Sequence, residues 1–227
     1  MKKVLVMAAA LSLLAAPALA SSVVNSKHNL STSGPGTIKS TNYSEVCVFC
    51  HTPHGANQNI TGAPLWNRSA MPADFAVGDL YNSSTLEATS RPSNNGNLAQ
   101  VNASDAKLCF SCHDGTNLVD GLLNPANTSG NNQPAGLNGT ALGTADLLEA
   151  GTMLKNDHPI GIDYSKAFAS DGELNNPPLN AAVDVSFGSD DKRMWCSSCH
   201  DVHDDAYGPF LVMSNSQSAL CVACHVK

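Results

Sequence analysis

This 227-residue chain carries eight cysteines and eight histidines, side chains able to form disulfides, bind metals or attach a cofactor. Every cysteine lies in a Cys-x-x-Cys-His motif: Cys47/Cys50/His51, Cys109/Cys112/His113, Cys196/Cys199/His200 and Cys221/Cys224/His225. An even cysteine count in an exported protein reads as disulfides, and paired Cys-x-x-Cys units read as zinc ligands. Neither gives a reason for a histidine to follow all four second cysteines. Covalent haem attachment does, because the two thiols add to the porphyrin vinyl groups and the adjacent imidazole is then held under the iron as its proximal ligand. The expected cofactor complement is four haem c.

Four histidines remain for four distal positions: His28, His54, His158 and His203. Methionine is the alternative distal ligand and would raise the potential. Met71, Met153, Met194 and Met213 stand in no repeated relation to the motifs and read as packing residues. Bis-histidine ligation at all four irons is therefore expected, at potentials below those of His/Met cytochromes.

The ligands repeat. His28, Cys47-x-x-Cys50-His51-x-x-His54 and Cys109-x-x-Cys112-His113 are followed in the same order by His158, Cys196-x-x-Cys199-His200-x-x-His203 and Cys221-x-x-Cys224-His225. An internal repeat of this kind makes each half a two-haem unit. A residue three positions after a proximal histidine cannot round the porphyrin rim to the opposite face, so His54 and His203 are expected to serve other irons. If each serves the next motif, His54 binds the haem of Cys109 and Cys112, and His203 that of Cys221 and Cys224. Otherwise the two are exposed bystanders. By elimination His28 and His158 are left for the haems of the first and third motifs. His28, eight residues past the cleavage site and on an arm expected to be mobile, either folds back or reaches a neighbouring subunit.

The elements that must position these ligands read as short. Helical signals gather at the motifs, over 104–113 with Ser104 as N-cap and over 216–225. Pro159 biases His158 toward extended backbone, and Tyr43, Trp66, Tyr164 and Trp195 read as packing residues. With aromatic residues only 5% of the chain, the protein core is modest for its length and something besides side chains is expected inside. The expected fold is mostly coil with short α-helices, a multihaem cytochrome c wrapped around a chain of four haems. Residues 21–140 form the first two-haem unit and 141–227 the second, in one compact haem-cored domain, with a Gly/Asn-rich hinge or surface loop at 124–143.

Lys2 and Lys3, the apolar stretch 4–16 and Ala18-Leu19-Ala20 form a secretory signal peptide over 1–20. Its apolar run is shorter than the roughly 20 residues of a spanning helix, and no later run is long enough. Cleavage removes two of the twelve basic residues and none of the nineteen acidic ones, giving a formal charge of −9. Nucleic acid and anionic membranes are poor partners for such a surface. The expected localisation is extracellular or at the cell surface, with the periplasm as the alternative.

The segments Lys27-His28-Asn29-Leu30-Ser31, Cys47-Val48-Phe49-Cys50-His51-Thr52-Pro53-His54, Pro64-Leu65-Trp66-Asn67-Arg68, Leu108-Cys109-Phe110-Ser111-Cys112-His113-Asp114-Gly115-Thr116, Asp157-His158-Pro159-Ile160-Gly161 and Cys196-Ser197-Ser198-Cys199-His200-Asp201-Val202-His203 resemble the doubled Cys-x-x-Cys-His cytochromes of metal-reducing bacteria. Within them the chain is similar to tetrahaem cytochromes that polymerise into extracellular nanowires. That resemblance implies a coil-rich homopolymer around a continuous haem chain of alternating parallel and T-shaped pairs. Its partners would be other redox proteins or extracellular electron acceptors. The alternatives are a monomeric periplasmic or surface electron shuttle and a multihaem reductase. A reductase needs an exchangeable iron position, and eight histidines for four irons leave none.

Overall fold

The computed structural model describes residues 23–58, 63–68, 74–81, 83–86, 97–114, 121–125, 137, 147, 153–176, 178–185 and 192–226. The signal peptide, the boundary between the halves, Met71 and most of the 124–143 loop lie outside them. Regular structure is sparse, as the composition implies. Helices α1 (Asn97–Asn102), α2 (Ala106–His113), α3 (Tyr164–Ser170) and α4 (Ala219–Cys224) are short. Strands β1 (Ile162–Asp163) and β2 (Arg193–Met194) pair antiparallel, Ile162 opposite Met194. Apart from a helical fragment at Val23 and Val24 and a few isolated β-bridges, the rest of the described chain is coil, turns and 3₁₀ turns.

Local chemistry sets these limits. Ser104 is not the N-cap residue of α2, a position held by Asp105. Its hydroxyl instead donates to Val101 O at 2.7 Å and accepts Ala106 N–H at 3.2 Å, linking α1 to α2. Asp163 caps α3, its carboxylate accepting Lys166 N–H at 3.2 Å and the Ser165 hydroxyl at 2.7 Å. The helix expected over 216–225 is split, because Gln217 and Ser218 have φ of 55° and 63° and break the 3₁₀ turn Ser216–Ser218 from α4.

Among the described residues the buried apolar side chains gather in three small clusters. The largest joins Phe75, Leu80, Val101, Ala106, Phe110 and Leu154 to Trp195, drawing on both sequence halves. Tyr43 and Phe49 form a second, and Tyr164, Val183, Ala223 and Cys224 a third. All four expected packing aromatics are buried, and Met194 is buried with them.

The arm carrying His28 is tied down rather than loose. Asn29 and Ser31 are fully buried. Asn29 Nδ2 donates to Val24 O at 2.7 Å, and Asn29 Oδ1 accepts the Ser31 hydroxyl at 2.6 Å. Thr32 N–H reaches Tyr43 O and Ser40 N–H reaches Leu30 O, both at 2.7 Å. A Cβ at Gly34 would stand 1.9 Å from Asn29 O, so glycine is required for this closure. The expected mobility fails because the Ser/Asn-rich sequence satisfies its own polar groups locally.

Candidate haem-binding site

The four motifs fall into two geometries that alternate along the chain. The first motif of each half is a 3₁₀ turn, Cys47–Phe49 and Cys196–Ser198. The second motif of each half lies on a helix, Cys109, Cys112 and His113 on α2, and Cys221 and Cys224 on α4 with His225 as its C-cap. On a helix, residues three and four apart share one face, so both thiols and the imidazole point the same way. In the turns His51 N–H returns to Cys47 O at 2.8 Å and His200 N–H to Cys196 O at 3.0 Å, closing the same five residues.

The proximal imidazoles of both turns are held in the tautomer that iron needs. His51 Nδ1 lies 2.9 Å from Pro64 O, and His200 Nδ1 lies 3.0 Å from Pro209 O. A carbonyl only accepts, so Nδ1 carries the proton and Nε2 keeps its lone pair for a metal. The carbonyls are delivered by equivalent loops. Thr52 N–H donates to Leu65 O and Asn67 N–H to Cys50 O, as Asp201 N–H donates to Phe210 O and Val212 N–H to Cys199 O. Leu65 and Phe210 even share a left-handed φ, 58° and 59°. Pro64 and Pro209 thus belong to the repeat as orienting residues. Their signal in the sequence is a proline 13 residues after one proximal histidine and nine after the other, which spacing alone does not reveal.

The thiols of successive motifs sit close enough to interact. Burial, then the neighbouring Cys112 thiol, pushes Cys50 up to about 12. Burial and Cys224 push Cys199 up to about 11. The neighbouring Cys109 thiol, followed by burial, raises Cys196, and burial raises Cys112 and Cys224. All eight cysteines are free of disulfides. Arg68, 1% exposed, donates from Nη2 to Ser111 O at 3.0 Å and favours the thiolates of Cys50 and Cys112. Asp105 Oδ2 accepts Ser197 N–H at 2.7 Å across the two halves, and burial raises its carboxyl above the ordinary value.

The remaining histidines are distributed unevenly. His28 lies against Phe210, ring centres 4.2 Å apart, and its ring centre is 6.1 Å from that of His113. Burial, with His113 next, lowers His28 to about 4, leaving it the neutral imidazole that a metal binds. His203 stands 6.1 Å from His51, and His158 stands 6.5 Å from His225. His158 lies outside any helix or strand, and burial lowers it. His54 is exposed and makes no ring contact with His113, and His203 makes none with His225. The ring beside His203 is that of His51 rather than His225.

The residues fit haem c. Free thiols sit in pairs on single turns, each pair is followed by an imidazole, and two of these imidazoles are locked as Nε2 donors. The indole N–H groups of Trp66 and Trp195 are buried with no acceptor from the protein, where the carboxylates of a porphyrin would supply one. Cys47 and Cys50, Cys109 and Cys112, Cys196 and Cys199, and Cys221 and Cys224 would hold four porphyrins, with His51, His113, His200 and His225 beneath the irons. Each haem, when bound, supplies one reversible electron.

A family model described as a doubled CXXCH motif matches residues 189–227, which contain the third and fourth motifs. Comparison with curated proteins yields no match. The doubled motif indicates covalent c-type haem binding and, with it, electron transfer.

Proposed function

We propose that the chain is an exported tetrahaem cytochrome that passes electrons from other redox proteins to extracellular acceptors, as a subunit of a conductive filament. The observation that carries the reading is the fourfold Cys-x-x-Cys-His set in which consecutive motifs approach at Cys50 and Cys112, Cys109 and Cys196, and Cys199 and Cys224. Porphyrins anchored there would stand next to one another, and electron tunnelling falls steeply with edge separation. The complement of eight histidines leaves every iron saturated, which favours transfer over catalysis. Among the described residues no helix is long and apolar enough to cross a membrane.

Filament formation is supported by the resemblance and by apolar side chains left outside the three clusters, among them Leu65, Leu179, Tyr207 and Val226, each about half exposed or more. Such side chains suit a surface that packs against a second copy. Negative-stain microscopy of the secreted fraction tests the assembly. Filaments of this chain support it, and a monomer at every concentration would leave a soluble shuttle instead. Stopped-flow oxidation of the reduced protein by soluble ferric chelates tests the transfer, with four electrons released per chain.

A further inference from the structure

Two imidazoles on one iron, at metal–nitrogen distances of about 2.0 Å and with each ring centre about 1.1 Å beyond its nitrogen, set their ring centres about 6.2 Å apart. Three histidine pairs have this separation: His28 with His113 at 6.1 Å, His51 with His203 at 6.1 Å, and His158 with His225 at 6.5 Å. Each joins one proximal histidine to one distal histidine, and no histidine is used twice. His54 and His200 are the two left, one distal and one proximal, both exposed and neither in contact with another imidazole.

We propose that the distal ligands are shared crosswise: His28 and His158 complete the second haem of their own halves, while His203 completes the haem of Cys47 and Cys50 and His54 that of Cys196 and Cys199. This rests on the reading of the motifs as haem sites. The repeat supports the assignment, since His28 and His158 play one role and His54 and His203 the other. Supporting contacts agree with it. The stacked ring of Phe210, from the loop that orients His200, holds His28 in place. Asp201 Oδ1 lies 3.7 Å from His203 Nδ1, leaving Nε2 of His203 the atom for iron. The His-x-x-His segments then tie the first and third irons together through two short peptides. The two halves cannot be separated into independent two-haem units, because each supplies a ligand that the other requires.

The test moves one ligand in backgrounds that lack one haem. The parent protein, with four covalent haems by intact mass and no high-spin signal in its ferric electron paramagnetic resonance spectrum, establishes the underlying reading. Fewer haems there would defeat that reading and not the pairing. His203→Ala should convert one haem to high spin, and added imidazole should restore it. In a variant lacking the first haem, Cys47→Ala with Cys50→Ala, adding His203→Ala should produce no further high-spin haem. In a variant lacking the fourth, Cys221→Ala with Cys224→Ala, it should still produce one. The reverse pattern would overturn the crossed pairing, as would His203→Ala leaving all four haems low spin. Should a haem-deficient variant fail to fold, a cryo-electron microscopy map of the wild-type holoprotein reads the same assignment. Nε2 of His203 on the iron of Cys47 and Cys50 supports it, and Nε2 of His203 on any other iron, or on none, refutes it.

Discussion

At the scale of single residues, the covalent chemistry was legible in the chain and its orientation was not. Cysteine pairs followed by histidine are written in consecutive positions, so attachment needs no fold to be recognised. The carbonyls of Pro64 and Pro209, which fix the tautomers of His51 and His200, are backbone atoms delivered by loops of different length and leave no side-chain signature. Distal pairing was also hidden, because it depends on which imidazoles the fold brings to about 6 Å. One consequence is measurable in the potentials. His158→Met should raise the midpoint potential of one haem and leave the other three near their original values, since a thioether opposite histidine favours ferrous iron. A spectropotentiometric titration reads this directly. Four unchanged potentials would mean that His158 binds no iron.

At the scale of elements, sequence located the helices at the second and fourth motifs to within a few residues but mistook how they begin. Ser104 carried a capping signal and serves as a link between α1 and α2, while left-handed Gln217 and Ser218 had no signal against helix at all. The polar arm around His28 looked free because its partners are its own backbone and side chains. Gly34→Ala must displace Asn29 O and should cost about 1–3 kcal/mol, the usual penalty for overpacking. It should also turn one haem high spin by shifting His28. Thermal unfolding and ferric spectra of the holoprotein check both effects. Asp163→Ala removes the cap of α3 and should lower stability by about 1 kcal/mol with all haems retained. Asp105 titrates in the opposite sense to most carboxylates. Burial raises its folded value, so its contribution is fully present at and below about pH 4, its unfolded value, and is lost as pH rises through the folded one. Asp105→Asn should remove that loss while keeping an acceptor for Ser197 N–H. Denaturation curves of the two proteins from about pH 4 to 7 should therefore converge at the acid end and diverge toward neutrality, with the variant the more stable.

At the scale of the whole molecule, low aromatic content and abundant coil foretold a protein that side chains alone do not fill. Among the described residues three clusters stand where one core would, and each lies at a motif cysteine: Cys196 beside the first, Cys50 beside the second, Cys224 within the third. What sequence could not show was that the largest cluster and the Asp105 to Ser197 bond join residues of both halves. The apoprotein, made without haem attachment, should accordingly lack a cooperative thermal transition, whereas the holoprotein should unfold as one unit. Circular dichroism melts of the two forms check this, and a cooperative apoprotein melt would show that the polypeptide core suffices. On the proposed assignment all eight cysteines and all eight histidines are spent on four low-spin haems. Intact mass together with pyridine haemochrome quantitation of the purified chain tests it most directly. The expected result is the mass of the polypeptide plus four haems and a haem to protein ratio of four; fewer than four covalent haems would refute the assignment.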